Sequence, residues 1–197
     1  MDIPIRCNCG RVRGVARSVS PDTVNHAVCY CHDCRAFLHW LERDELLDAH
    51  GGTKIIQLGR SRLEIEEGRD QIQCMRLSPK GMHRWYAQCC KTPLANTLPA
   101  IPFAGVSRAL FDVSADDDES TFGPVMYGNA RQAIDDAPPE ARLRLRDAVH
   151  VTRLLASWAL RRLGHPTPFF DKENRPVVTP RVLTTAERQH LREHPRA

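Results

Sequence analysis

Aromatic side chains are scarce in this chain, only 6% of 197 residues, and that leaves few flat platforms on which nucleic-acid bases stack. Net charge is also modest, +4 at neutral pH, so binding to nucleic acid is not expected. Arginine supplies most of the positive charge and is densest at Arg142, Arg144, Arg146, Arg153, Arg161 and Arg162. That cluster reads as a solvated helix face rather than an anion-binding patch. No uninterrupted apolar stretch approaches the ~18 residues of a membrane helix, and neither spanning of a bilayer nor tethering to one is expected. The start, Met1-Asp2-Ile3-Pro4-Ile5-Arg6, has neither the basic opening nor the apolar run of a secretory signal. A reducing, cytoplasmic setting follows as an expectation. No internal repeat is visible. With 42% hydrophobic and 26% charged residues, this length supports one proper core with an appended element rather than two independent domains.

Cysteine, by contrast, is plentiful and grouped. Seven of the 8 cysteines fall into three sets: Cys7 and Cys9; Cys29, Cys31 and Cys34; Cys89 and Cys90. Thiols this tightly spaced are most simply explained as metal ligands, with zinc the expected guest, one or two ions per chain. In the middle set, Cys29-Tyr30-Cys31-His32-Asp33-Cys34, a Cys-x-Cys and a Cys-x-x-Cys are fused, so three thiolates can converge from one short segment. Disulfides are the competing reading, disfavoured in a reducing compartment. The eighth, Cys74, stands alone in a predicted strand and reads as a small buried hydrophobe.

Up to about residue 113 the segments are short, rich in β-branched residues and punctuated by turn chemistry. Residues 24–29, 53–58, 63–66, 72–77 and 82–88 read as strands. Turns fall at Gly51-Gly52, Gly59, Glu67-Gly68 and Ser78-Pro79-Lys80-Gly81. One helix interrupts this part, over residues 33–43, where Phe37, Leu38 and Leu41 recur at helical spacing and Asp33 is the expected cap. The acidic run at 116–120 reads as a surface loop. Beyond it a long helix is expected between the capping acid and prolines of 136–140 and the stop at Gly164 and Pro166. Its apolar stripe is Val151, Leu154, Leu155, Trp158 and Leu163, a brace docked on the sheet. The proline-rich tail follows, with Phe169-Phe170 as its anchor. The expected fold is therefore mainly β and antiparallel, residues 1–115, with an α-helical extension, residues 116–197, packed on it.

The order Cys-x-Cys-Gly at residues 7–10, Cys-x-Cys-x-x-Cys at 29–34, then Arg84-Trp85-Tyr86 leading to Cys90-Lys91-Thr92-Pro93-Leu94 resembles the glutathione-dependent formaldehyde-activating enzyme family, over roughly residues 3–106. The resemblance implies a zinc-bound antiparallel β-tent, the fold shared with a guanine-nucleotide-exchange-like zinc chaperone and zinc-containing methionine sulfoxide reductases. It further implies two zincs: a structural ion on the first Cys-x-Cys and a late cysteine pair, and a catalytic ion on the middle triplet with a position open to a substrate thiol. The chain departs from the family at the third set. Ala87 stands where a cysteine is expected, Lys91 replaces a glycine, and Cys89 has appeared beside Cys90. Adjacent side chains on an extended strand point to opposite faces, so three allocations stay open. Cys7, Cys9, Cys89 and Cys90 close one site and leave the triplet open; or Cys89 crosses over to close the triplet; or a single zinc leaves some thiols free.

Three thiolates on a dication leave one negative charge, which disfavours hydrolysis and favours soft ligands. A thiol in the fourth position would be deprotonated and could add to a small aldehyde. The leading reading is thus a carbon–sulfur lyase of the S-(hydroxymethyl)glutathione synthase type. Its catalytic set is Cys29, Cys31, Cys34 and His32, with Asp33 or His26 as other proton relays. Arg35 and Arg84, with Trp85 nearby, are the expected contacts of a glutathione-like thiol and its two carboxylates. The rival is a non-catalytic zinc module that serves a protein partner. A third reading is a redox enzyme with Cys74 or Cys89 as its reactive thiol.

Overall fold

Alternation of buried and exposed residues marks the strands of one sheet, whereas central strands of a second are buried on both faces; the computed structural model describes them within residues 1–142, 144–161 and 165–193. In chain order the elements are β1 (Ile3–Arg6), β2 (Arg13–Ala16), β3 (Asn25–Cys29), α1 (His32–Leu41), β4 (Thr53–Gly59), β5 (Leu63–Glu67), β6 (Ile72–Arg76), β7 (His83–Ala87), β8 (Thr92–Thr97), β9 (Phe103–Ser107), α2 (Asp118–Phe122), β10 (Met126–Gly128), α3 (Leu145–Leu160), β11 (Arg181–Val182) and α4 (Thr185–Glu193). A small sheet runs β1-β2-β5, and a large one runs β10-β3-β4-β9-β8-β7-β6-β11. The protein is mainly β, with helices. Pairing is antiparallel except at the two ends of the large sheet, where β10 joins β3 and β11 joins β6 in parallel. Both end strands come from the second half of the chain, so that half completes the sheet rather than only leaning on it.

The five strands read from the sequence are all present within a residue or so at each end, and the 78–81 turn closes β6 onto β7 through Gly81 N–H donating to the Ser78 carbonyl at 2.9 Å. Close approach of the small sheet's strands depends on Gly14, where a Cβ would sit 1.9 Å from the Glu64 carbonyl oxygen. Between the sheets lies the larger core, with Ile3, Ile5, Leu63 and Ile65 facing Ile56, Leu58, Trp85 and Val106. Phe169 and Phe170 are buried in the same core, Phe169 stacked on Trp85 with ring centroids 4.8 Å apart. They anchor the proline-rich segment. On the other face of the large sheet a second cluster, Phe37, Leu41, Met75, Leu77 and Leu183, packs α1 against the sheet.

Three local expectations are corrected. The cap of α1 is Cys31, not Asp33, which lies in the first turn. The acidic run is not loop throughout: it leads into α2, where Asp118 pairs with Arg108 at 2.5 Å and Thr121 and Phe122 are buried. Arg108 offsets the charge of Asp118, the residue at which the helix begins. The long helix begins at Leu145, later than 136–140, because the Asp147 carboxylate accepts the Arg144 N–H at 3.1 Å and so starts it there. Of its stripe, Leu154 and Trp158 are buried and Val151 and Leu155 half-buried, while Leu163 and Gly164 lie outside the described residues. Trp158 reaches Phe103 on β9, 5.9 Å between centroids, and His150 donates to the Val24 carbonyl at 3.1 Å. No described helix is long and apolar enough to cross a membrane.

Candidate metal centres

Seven sulfurs converge into two groups, four and three, each with its ligand atoms within 4.8 Å of one another. The four-cysteine group joins the two sheets. Cys7 and Cys9 sit in the turn after β1, and Cys89 and Cys90 in the turn between β7 and β8. Cys7 Sγ is 3.7 Å from Cys9 Sγ and 3.8 Å from Cys89 Sγ; Cys89 Sγ is 3.4 Å from Cys9 Sγ and 3.8 Å from Cys90 Sγ. Four sulfurs at ~2.3 Å from one zinc ion would stand about 3.8 Å apart at tetrahedral angles. The separations fit a single ion, and all eight cysteines are free thiols rather than disulfides.

The turns explain how the thiols meet. The Cys7 N–H donates to the Val12 carbonyl at 2.9 Å, the Val12 N–H donates back to Cys7 Sγ at 3.3 Å, and Gly10 takes the left-handed conformation that closes the loop (φ +74°). Cys89 and Cys90 were expected on an extended strand. They instead lie in a tight turn, with Cys90 N–H on the Ala87 carbonyl at 3.4 Å and Lys91 left-handed (φ 53°). Turn dihedrals rotate successive side chains to one side, which an extended strand does not. Ala87 is fully buried at the end of β7. Thr92 finishes the site: its hydroxyl accepts the Asn8 N–H at 3.0 Å, stands 3.1 Å from Cys90 Sγ and receives Arg43 at 3.3 Å. Without metal, burial raises the Cys7 and Cys89 thiols. For Cys90 burial is outweighed by the Thr92 hydroxyl and the N–H groups of Cys9 and Thr92, which bring it to about 6.

The three-cysteine group joins the sheet to α1. Cys29 ends β3, Cys31 caps α1 and accepts the Cys34 N–H at 3.3 Å, and Cys34 occupies the first turn. Helix-start N–H groups favour negative charge there. Without metal the three sulfurs share their protons unequally. Hydrogen bonds from Cys31 and Cys34 bring the Cys29 thiol to about 2, and that same sharing pushes Cys31 and Cys34 up. Arg84 is buried beside the group, its Nη1 3.9 Å from Cys34 Sγ and 3.2 Å from Asn96 Oδ1, with its guanidinium over the Phe37 ring. Asn129, one residue past β10, donates to Cys29 Sγ at 3.5 Å. The next turn holds α1 as well: Gln132 Oε1 accepts the His32 N–H at 3.0 Å and its carbonyl accepts Arg35 at 3.3 Å. Cys29 and Cys31 are partly exposed, whereas Cys34 is buried against a cavity of only about 10 Å³ between α1 and the sheet, room for at most one water.

The remaining candidates are sorted by the same geometry. His32 is exposed and its Nδ1 accepts Arg35 Nη2 at 2.9 Å. His26 points away from Cys29, since the two differ by an odd number of residues on β3; it donates to the Gly123 carbonyl at 3.2 Å and packs edge-on against Phe122. Trp85 does not reach a ligand: it is fully buried in the core, with its indole N–H on Thr97 Oγ1 at 2.8 Å. Arg35 and Arg84 are likewise buried, and so do not present themselves to the carboxylates of a bound peptide. Cys74 lies in the core and burial pushes its thiol up to about 12, which removes the basis for treating it as reactive. Sequence reading missed Thr92, Arg43 and Asn129. For Asn129 the visible signal was Gly128-Asn129, a turn pair, but its partner sulfur is 100 residues away.

Both groups could hold metal ions, and their all-thiol donor sets are compatible with zinc. No curated protein matches the chain. A crystal structure of a Rhodobacter sphaeroides protein, from a structural genomics programme, is similar with a TM-score of 0.43 and 17% identity, covering 64% of this chain and 99% of that one. A model for a family of unknown function, DUF6151, matches residues 1–178, and the chain belongs to that family.

Proposed function

We propose that this is a two-zinc protein of the cytoplasm with a β-tent core, in which the four-cysteine centre holds the sheets together and the three-cysteine centre binds and activates a small thiol. The activity that fits is carbon–sulfur lyase chemistry on a glutathione-like thiol and a small aldehyde such as formaldehyde, as the resemblance to formaldehyde-activating enzymes implies. The observation that carries it is the four-plus-three partition of the sulfurs, because a three-ligand zinc keeps a place for chemistry whereas a four-thiolate zinc does not. Zinc bound there would supply a soft Lewis acid that lowers the pKa of an entering thiol. The chain contributes the rest. Partly exposed Cys29 and Cys31 leave one side of the triplet accessible, and the start of α1 favours the negative charge that forms there. His32 has Nδ1 committed to Arg35, so Nε2 is the atom left at the surface to exchange a proton with the adduct oxygen.

The test is exchange spectroscopy of glutathione and formaldehyde at equilibrium with the zinc-loaded protein. Interconversion of adduct and free thiol well above the spontaneous rate, abolished in Cys34→Ala while the four-cysteine site keeps its metal, is the expected result. No acceleration by a protein carrying two zincs would sink the activity. The small cavity behind Cys34 favours the rival, a structural zinc module that docks a protein partner. Under that rival Cys34→Ala unfolds the protein without loss of any thiol interaction.

A further inference from the structure

The fold uses only one side of α3. At 3.6 residues per turn, Leu154 and Trp158 project toward the body of the protein, and both are buried. Leu145, Val149, Thr152, Ala156 and Leu160 project the opposite way, within a sector of about 80°, and all five are exposed. Leu145 is 83% exposed, Val149 49% and Leu160 87%. Single leucines on a surface are ordinary. These residues instead recur at steps of four, three, four and four along about 22 Å of helix, a spacing at which side chains interlock with a second helix. Thr152, in the middle, has its hydroxyl satisfied within α3 by the Ala148 carbonyl at 2.8 Å.

The charge beside this stripe has one sign. Arg146 and Arg153 run along one flank and Arg161 follows the last turn, all exposed. The one acid within the helix, Asp147, is already engaged by the Arg144 N–H at 3.1 Å and by Arg146 at 3.5 Å. Arg153 and Arg161 make no ion pair with a carboxylate among the described residues. A second copy of the chain is a poor occupant: antiparallel pairing that sets Leu145 against Leu160 brings the two Arg153 side chains together, and parallel pairing sets each arginine beside its own copy. A lipid surface fits poorly too, because Thr152 and Ala156 stand where an inserted helix would carry large apolar or aromatic residues. We propose that this face of α3 docks an amphipathic helix of a partner protein, apolar along its seam and acidic along the flank that meets Arg146 and Arg153. Leu145 and Leu160 anchor the two ends, the small residues between them admit close approach, and the arginines set the sign of the partner. The surface stands apart from both cysteine centres and from the thiol chemistry proposed for one of them.

The experiment titrates the full chain with two synthetic three-heptad peptides, both with leucine at the seam positions, one with glutamate and the other with lysine at the flanking positions. Fluorescence anisotropy gives the affinities and amide NMR shifts give the location. The glutamate peptide is expected to bind at least about tenfold more tightly than the lysine peptide and to shift the amides of residues 145–160. Leu160→Gln is expected to weaken it about fivefold or more, and Arg153→Glu to reverse the preference between the two peptides. Both substitutions fall at exposed positions, and an unchanged unfolding transition shows each variant to be folded; should Leu160→Gln not fold, Val149→Gln carries the same expectation. Equal affinity for the two peptides, no binding of either, or shifts that avoid α3 overturn the proposal. So do a wild-type dimer in sedimentation that Leu160→Gln dissociates, which gives the face to a second copy, and binding to phosphatidylserine vesicles in place of the glutamate peptide, which gives it to a membrane.

Discussion

The two cysteine centres use one residue type to join different things. The four-cysteine centre links two turns from different sheets, 80 residues or more apart in sequence, and each sulfur already has three others as neighbours. The three-cysteine centre comes from one short segment, at the junction of β3 and α1, and its surroundings are two buried arginines, a helix start and Asn129. The lesson is that the number of converging thiols is set by backbone context. Two turns meeting face to face bring four together, whereas a strand running into a helix brings three and then turns away.

The sharpest way to break that comparison is to remove one ligand from each centre. Cys89→Ser is expected to abolish cooperative thermal unfolding, because a structural zinc contributes on the order of 10 kcal/mol or more, comparable to the entire stability of a domain. Cys29→Ser is expected to lose one metal but keep a cooperative transition, lowered by roughly 5–10 °C for about 2–3 kcal/mol. Calorimetry with metal counting on both variants checks this. Equal losses would erase the distinction between the centres.

Much of this was legible before any coordinates. The fused spacing of Cys29, Cys31 and Cys34 is local, and local spacing survives folding. A strand such as β4 was visible because β-branched Thr53, Ile55 and Ile56 fall together between turn residues. The Cys89-Cys90 turn was not, since its geometry depends on a left-handed Lys91, a conformation that lysine does not advertise. Nor was the place of Arg84 and Trp85: neighbours on β7 face opposite sides, and only the packed sheet decides that Trp85 enters the core and Arg84 meets Cys34. The ends of the large sheet, β10 and β11, are too short to carry a sequence pattern.

A smaller effect comes from pH. Each centre is fed by a strand with a buried histidine, His26 on β3 and His83 on β7, and burial lowers the pKa of both below the ordinary 6.5. The unfolded chain therefore binds more protons than the folded one once pH falls below about 6.5. Stability present above that pH is lost as pH drops toward the folded values, with a slope of up to about 1.4 kcal/mol per pH unit for each histidine. Urea melts between pH 7 and 5 on His26→Asn and His83→Asn should each show about half the wild-type slope contributed by this pair; unchanged slopes would contradict the assignment.

Smallest are the supporting hydrogen bonds. Thr92→Val removes the acceptor of the Asn8 N–H and the contact to Cys90, and is expected to destabilise by about 1–2 kcal/mol, with faster metal loss from the four-cysteine centre alone. Asn129→Ala, which deletes the donor to Cys29, is expected to cost about 1 kcal/mol or less and to speed metal loss only from the three-cysteine centre. Chelator kinetics with two resolved phases separates them, and a variant that moved both phases together would show the centres to be coupled.

X-ray absorption at the zinc edge, combined with metal counting on the purified full chain, reaches the heart of the matter. Two zincs per chain, with Zn–S distances near ~2.3 Å and an average sulfur number between three and four that rises when a thiol is added, is the expected result. One zinc per chain, or sulfurs of Cys9 and Cys89 joined as a disulfide, would contradict it.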